Sequence, residues 1–281
     1  MEKRIEHIKN CEKISARMRI NSLKMALLAG QNGAHVGGCL CIIEIMATLY
    51  GSILNFKPDK PTWKNRDRFI LSKGHGSMSF YAALEAVGII TEEKLFTFSQ
   101  NGGELPCTSH LVPELGMEFS NGTLGFGLTY SVGLALASIK TNNPYNVYVL
   151  LGDGECNEGS IWEAAMSAPH LKLSNLTVII DLNSMQSDGK ASDVLDIRLE
   201  NMWKGFGWEV IKVDDGHNVG ELLDAFTQPR IEGTPRVIIA PTVKGKGVSF
   251  MENNNEWHHG VLSKELYDKA MQEVSQQSAT I

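Results

Sequence analysis

A parallel α/β fold, with helices covering both faces of the sheet, is what this 281-residue sequence predicts. Three runs carry the prediction: "NVYVLLGD", "NLTVIIDLN" and "PRVIIAPT" are rich in β-branched residues and almost wholly apolar, as strands buried on both faces must be. Helical segments at 159–171 and 218–227 separate them, and strand–helix–strand alternation builds a parallel sheet.

The elements follow in chain order. Ile5, Ile8, Ile14, Met18, Leu23, Leu27 and Leu28 recur at helical spacing, so the opening 30 residues read as an amphipathic helix. The glycine-punctuated loop "NGAHVGG" comes next, and an apolar helix is expected from it to near Leu54. "RFILSKGHGS" reads as a short buried strand running into a loop, and "MSFYAALEAVGI" as the helix after it. Residues 99–123 are rich in Gly, Pro, Ser and Asn with little periodicity, and loops of that length inside a domain usually carry function. "GLTYSVGLALASIK" is a helix of small residues; after the last strand come a "KGKG" loop and a short final helix that completes the domain by about residue 270. Residues 1–270 therefore read as one domain and 271–281 as a polar tail, since no linker or internal repeat interrupts the chain.

Composition narrows the functions. A formal net charge of −6 with no basic stripe argues against nucleic-acid binding. The longest apolar stretch carries Glu44 near its middle, which suits a core helix and not a membrane span. Five cysteines without a CxxC pair, and an N-terminus lacking the apolar core of a signal peptide, point to reduced thiols in a cytoplasmic protein.

The chemistry concentrates at "VYVLLGDGECNEG". Asp153 stands between Gly152 and Gly154 at the end of a buried strand, where ligands of α/β proteins bind. The next strand delivers Asn183 at its own end, 30 residues later. One carboxylate and one amide oxygen are a typical protein share of a Mg²⁺ shell, with the other positions left to phosphate oxygens and water. Glycines let backbone approach a diphosphate, and the helix starting near Gly159 favours anionic charge. A Mg²⁺–diphosphate site follows from these residues.

This pattern resembles the thiamine diphosphate signature of the transketolase family, N-terminal half. "GAHVGG", "DRFILSKGHGS", "SNGTLGFGL" and "TVKGKGVSFMENNNEWHHG" match further motifs in family order, spanning residues ~30–260. The resemblance implies a thiamine diphosphate-binding domain in which Asp153, Asn183 and the carbonyl of Met185 bind Mg²⁺. It implies that Gly152 and Gly154 meet the diphosphate and that Gly122, Thr123 and Leu124 line the aminopyrimidine. His75 and Lys244 fall close to the cofactor, and His35 and His258 face the sugar and reacting carbon; with His75 they make the catalytic set. An ungapped match through "KGKGVSFMENNNEWH" selects His258 over His259. Glu158 falls near a subunit interface, beside its plain reading as a helix-start carboxylate.

Two departures stand out. Gly33, Ala34 and Val36 surround His35 where the family reads Ser-Gly-His-Pro, and "LPCTS" replaces Leu-Pro-Gly-His-Pro. Thr108 thus occupies the place of a substrate-binding histidine, with His110 two residues on, which predicts a donor other than the usual xylulose 5-phosphate, such as a sulfonated or branched ketose.

The resemblance implies one half of a two-subunit enzyme that moves a two-carbon ketol unit from a ketose to an aldose. A separate C-terminal subunit, carrying the pyrimidine-binding domain and its glutamate, is the expected partner in an α₂β₂ assembly. The alternatives are the alpha subunit of a 2-oxo acid dehydrogenase and a non-catalytic relative.

Overall fold

The computed structural model describes residues 2–278. The chain opens with α1 (Glu2–Leu28), followed by α2 (Val36–Leu40), α3 (Ile43–Thr48) and the first strand, β1 (Arg68–Leu71). Helices α4 (Ser77–Ala86), α5 (Glu92–Leu95) and α6 (Phe126–Lys140) lead to β2 (Val147–Gly152), and α7 (Gly159–His170) leads to β3 (Leu176–Leu182). A two-stranded hairpin, β4 (Met185–Gln186) and β5 (Gly189–Lys190), precedes α8 (Ala191–Leu195) and α9 (Leu199–Gly205). Strand β6 (Glu209–Lys212), α10 (Val219–Thr227), β7 (Arg236–Pro241) and α11 (Lys264–Ser278) complete the described chain.

Strands pair in the order β1-β2-β3-β7-β6, all parallel. Side chains alternate between two apolar cores, as the two-residue period of a strand requires. Tyr148, Leu150, Ile179 and Ile238 face the core under α1–α4, α10 and α11, whereas Val147, Val149, Leu151, Val178, Ile180 and Val237 face the one under α6, α7 and α9. Trp203 is fully buried in the second core, packed between Trp162 and Trp208 with ring centroids at 5.5 and 4.7 Å. Register sets the functional edge: Gly152 lies opposite Asp181, and Leu182 opposite Pro241, so Asp153, Asn183 and Thr242 leave the sheet side by side.

Four expectations change. The apolar stretch to Leu54 is not one helix: it breaks between α2 and α3 and ends in a π-helical turn, Leu49–Ile53. At the break, Cys41 turns its thiol toward Asp181 (3.1 Å) and toward the carbonyl of Gly38 (3.3 Å). Strand β6 is an addition; as an edge strand paired only with β7 it is half-exposed and lacks a continuous apolar run. Helix α9 and the hairpin are additions too, being too short to show a periodicity. Finally, residue 270 falls inside a helix. α11 runs to Ser278, with Ala270 and Val274 buried and Met271 packed on the core, so 271–278 form its last turns and not a tail; residues 279–281 lie outside the described residues.

The segment 99–123 is irregular as expected, apart from a short turn at Pro113–Leu115. It is tied down by the Tyr81 hydroxyl donating to Pro106 O (3.0 Å) and by Asn121, whose amide donates to Ser109 Oγ (2.6 Å). Among the described residues no helix is long and apolar enough to cross a membrane.

Val274→Asp should lower the melting temperature by about 5 °C or more, because an unpaired buried carboxyl costs roughly 2 kcal/mol or more. Gln276→Asp, on the exposed side of the same turn, should leave it unchanged, and equal behaviour of the two in a thermal melt would show that α11 is not docked.

Candidate active site

A cleft of about 550 Å³ opens at the C-terminal edge of the sheet, lined among others by Lys73, His75, Leu124, Gly152, Asp153, Gly154, Glu155, Asn183, Met185, Gln186 and His258. Asp153 follows β2 directly and is 5% exposed. Its Oδ1 accepts the N–H of Gly154 (2.8 Å) and its Oδ2 that of Ser184 (2.5 Å). Asn183 follows β3, with Oδ1 accepting from Met185 N (3.0 Å). Between them Ser184 takes φ 62°, a left-handed turn that brings its N–H to Asp153. Three hard oxygen donors, a carboxylate, an amide and the Met185 carbonyl, thus belong to two adjoining strand ends. No cluster of three or more His, Cys, Asp or Glu suited to a metal occurs among the described residues, so any metal here would rest on this mixed oxygen set.

Beneath these groups lies a pair that the sequence reading missed. Lys73, two residues beyond β1, and Asp181, inside β3, form an ion pair with both side chains wholly buried. Asp181 also accepts from Asn183 Nδ2 (2.8 Å), Cys41 Sγ (3.1 Å) and Thr242 Oγ1. Burial alone would discharge both groups, but each holds the other charged: Asp181 is depressed and Lys73 raised from the ordinary value. The bond to Asn183 fixes which end of that amide points away from the core.

Glu155 is a second missed carboxylate. It is buried, and it takes the N–H of Gly125 (2.8 Å), the N–H of Gly152 (3.1 Å) and the hydroxyl of Ser72, joining the loops after β1 and β2 to the start of α6. Gln186 is the fourth missed residue. Its Nε2 is buried without a partner, beside Gly154, where an added Cβ would come within 2.7 Å of Gln186 Cγ. An unspent donor against a bare glycine backbone suits an anionic oxygen.

Four imidazoles close one side. The His35 ring lies 5.8 Å from His75, 5.6 Å from His258 and 4.7 Å from His259, and His75 and His258 are 5.6 Å apart. Glycines permit this: a Cβ on Gly38 would sit 2.9 Å from His75 Cδ2. A backbone pair, Ala34 N to Gly260 O (2.9 Å) and Gly260 N to Ala34 O (3.0 Å), holds the first and last histidine loops together. Burial, reinforced by His259, His258 and the nearby lysines, lowers His35 to about 4. Burial, then Lys244 and Lys73, lowers His258 to about 4, and burial with Lys73 takes His75 well below its ordinary value. These three are neutral at pH 7. Lys244 sits buried behind His258, with Nζ 2.9 Å from His258 Nδ1, and is not a wall of the cleft.

Of the residues singled out in the sequence, Gly152, Asp153, Gly154, Asn183, Met185, Leu124, His75 and His258 line the cleft, and His35 joins them through its ring contacts. Gly122 and Thr123 are exposed on the adjoining turn. Thr108 is half-buried and His110 exposed.

A family profile described as the transketolase, thiamine diphosphate binding domain matches residues 12–277. The 6-deoxy-6-sulfo-D-fructose transketolase subunit SqwG of Clostridium sp. (strain MSTE9) is 40% identical over 247 residues, covering 87% of this chain and 90% of that protein. An apulose-4-phosphate transketolase subunit of Phocaeicola vulgatus is 40% identical over 247 residues, covering 86% of each. Transketolase from Leishmania mexicana superposes with a TM-score of 0.88 at 28% identity, covering 94% of this chain but 41% of that one.

Burial, then the charge of Asp181, raises Asp153 from 3.8 to about 6. The folded chain therefore keeps a proton that the unfolded chain loses between those values, and stability falls as pH rises through that window. In chelator-treated protein, going from pH 4 to pH 7.5 should move the stability difference between Asp153→Asn and the unsubstituted chain in favour of Asn by up to about 3 kcal/mol. Denaturant titrations at the two pH values would show this, and a difference that does not change with pH would contradict it.

Proposed function

Because the chain belongs to the transketolase family, as its thiamine diphosphate-binding domain, we propose that it is the N-terminal subunit of a two-subunit transketolase that moves a two-carbon ketol unit from an anionic ketose to an aldose. The observation that carries the reading is the cleft edge itself, lined by Asp153, Asn183, Met185 and Gln186 with its unspent amide. Asp153, Asn183 and Met185 would hold Mg²⁺, and Gly152, Gly154 and Gln186 would meet the diphosphate. Gly122, Thr123 and Leu124 would border the aminopyrimidine. When bound, thiamine diphosphate supplies the electron sink for carbon–carbon cleavage.

The chain's own residues do the rest. His35, His75 and His258 are held neutral by burial, so His35 and His75 each offer one N–H and one lone pair to sugar hydroxyls, and His258 offers its Nε2–H. Lys244 stands against His258 Nδ1 and donates to it, which leaves Nε2 of that ring to serve the substrate. His259, exposed on the outer side and touching only His35 among these rings, is less well placed for this work.

The partner is a C-terminal transketolase subunit bearing the pyrimidine-binding domain and its glutamate, in a cytoplasmic α₂β₂ assembly. The chain spans about two fifths of the Leishmania enzyme. Exposed apolar side chains rim and flank the cleft: Leu124, Val194 and Leu195 on its wall, then Phe126 and Tyr130 along α6. Such a face suits an obligate interface, which often buries more than ~2,000 Å². The donor is an unusual ketose, supported by Thr108 at the expected histidine position and by relatives named for sulfofructose and apulose phosphate. The matching profile and the relatives named above are transketolases, which favours ketol transfer over the 2-oxo acid dehydrogenase alternative.

Mixed with that partner, thiamine diphosphate and Mg²⁺, the chain should transfer ketol units, and by itself it should show negligible transfer. Across a panel of ketose donors, a sulfonated or branched anionic sugar should give a higher kcat/KM than xylulose 5-phosphate. Full activity of the single chain would refute the split-enzyme reading, and preference for xylulose 5-phosphate would refute the donor reading.

His258→Ala should lower kcat by ~10²–10⁴-fold, with a much smaller change in cofactor affinity. His259→Ala should cost less than tenfold. Steady-state kinetics showing the reverse order would assign the role to His259.

A further inference from the structure

Behind the cleft, one buried carboxylate holds both ends of the Lys244 loop. Glu44 of α3 is 8% exposed, and its Oε1 pairs with Arg19 of α1. Its Oε2 lies 2.8 Å from His217 Nδ1. On the far side of that ring, Nε2 accepts the N–H of Val243 at 2.8 Å. A backbone N–H can only donate, so Nε2 is the bare nitrogen and Nδ1 carries the proton given to Glu44. Arg19 meanwhile donates to the carbonyl of Lys246. Val243 N–H and Lys246 C=O are thus both hung, through His217 and Arg19, on Glu44.

Between those two anchors sit Lys244 and Gly245. Gly245 takes φ +80°, and a Cβ there would lie 2.3 Å from Met251 O, so the loop has no slack to take up a displaced anchor. Its N–H donates to Gly37 O (3.0 Å), two residues from His35, and Lys244 Nζ reaches His258. Movement at Val243 would therefore reach the histidine cluster by two routes.

We infer that His217, which lies outside the cleft, is a positioning residue: through the Val243 N–H it sets the Lys244 backbone and with it the Lys244–His258 contact. The clamp stands on its own geometry; its consequence for turnover rests on the function proposed above. Two substitutions separate the two hydrogen bonds of the ring. His217→Gln presents an amide oxygen where Nε2 stands and keeps the Val243 bond, whereas His217→Asn reaches Glu44 in place of Nδ1 and falls short of Val243.

In the two-subunit complex, hydrogen–deuterium exchange at residues 243–247 should quicken at least tenfold in His217→Asn and stay within about threefold of wild type in His217→Gln. The kcat of ketol transfer should follow, falling about tenfold or more in the Asn variant only, with a much smaller change in the Kd for thiamine diphosphate, the scale on which supporting partners act. Unchanged exchange in His217→Asn would overturn the clamp. Faster exchange with an unchanged kcat, or equal damage in both variants, would overturn the positioning role. Failure of the wild-type complex to bind thiamine diphosphate would instead overturn the functional reading, while exchange at Val243 still decides the clamp.

Discussion

The ion pair between Lys73 and Asp181 is the constraint on which the site depends. Two charges with no exposed side-chain surface are tolerable only if their mutual attraction and their remaining hydrogen bonds offset the loss of water. Asp181 meets that condition by collecting donors from four separate segments: Lys73 after β1, Cys41 between α2 and α3, Asn183 after β3, and Thr242 after β7. Each of those segments also carries a cleft or histidine-loop residue. The carboxylate therefore gathers the functional edge as well as stabilising it, and Glu155 does the same for β1, β2 and α6.

Charge in the cleft is arranged with equal economy. Two buried lysines lie among the imidazoles, and their positive field together with burial keeps His35, His75 and His258 neutral. Close packing of the rings relies on glycine at Gly33 and Gly38, where a Cβ would lie 2.9 Å from His259 and His75 respectively.

The strands β1, β2, β3 and β7 were legible because each is an apolar run bounded by turn residues, and the Asp153–Asn183 pair was legible because both sit where such runs end. Lys73 and Asp181 were not. Lys73 lay inside a histidine motif, Asp181 read as one polar letter in an apolar strand, and only the parallel register brings 73, 181 and 242 together. Glu155 and Gln186 looked like ordinary surface residues, since sequence shows neither burial nor which backbone N–H groups lack a partner. The edge strand β6 escaped because one-sided pairing needs no apolar run, and the end of α11 because Val274 is a lone buried residue among polar neighbours.

The strand order carries a consequence for how the chain is made. β7 lies between β3 and β6, yet it is the last of the sheet's five strands to leave the ribosome. Until residues 236–241 emerge, β3 has an unpaired inner edge and β6 has no neighbour at all. Residue 177 must then find residue 236, a separation that makes sheet closure intrinsically slow. A nascent or truncated chain ending before β7 would carry its most apolar strands with open hydrogen-bonding edges, a template for aggregation. That hazard during synthesis follows from the strand order alone, independently of any chemistry at the cleft.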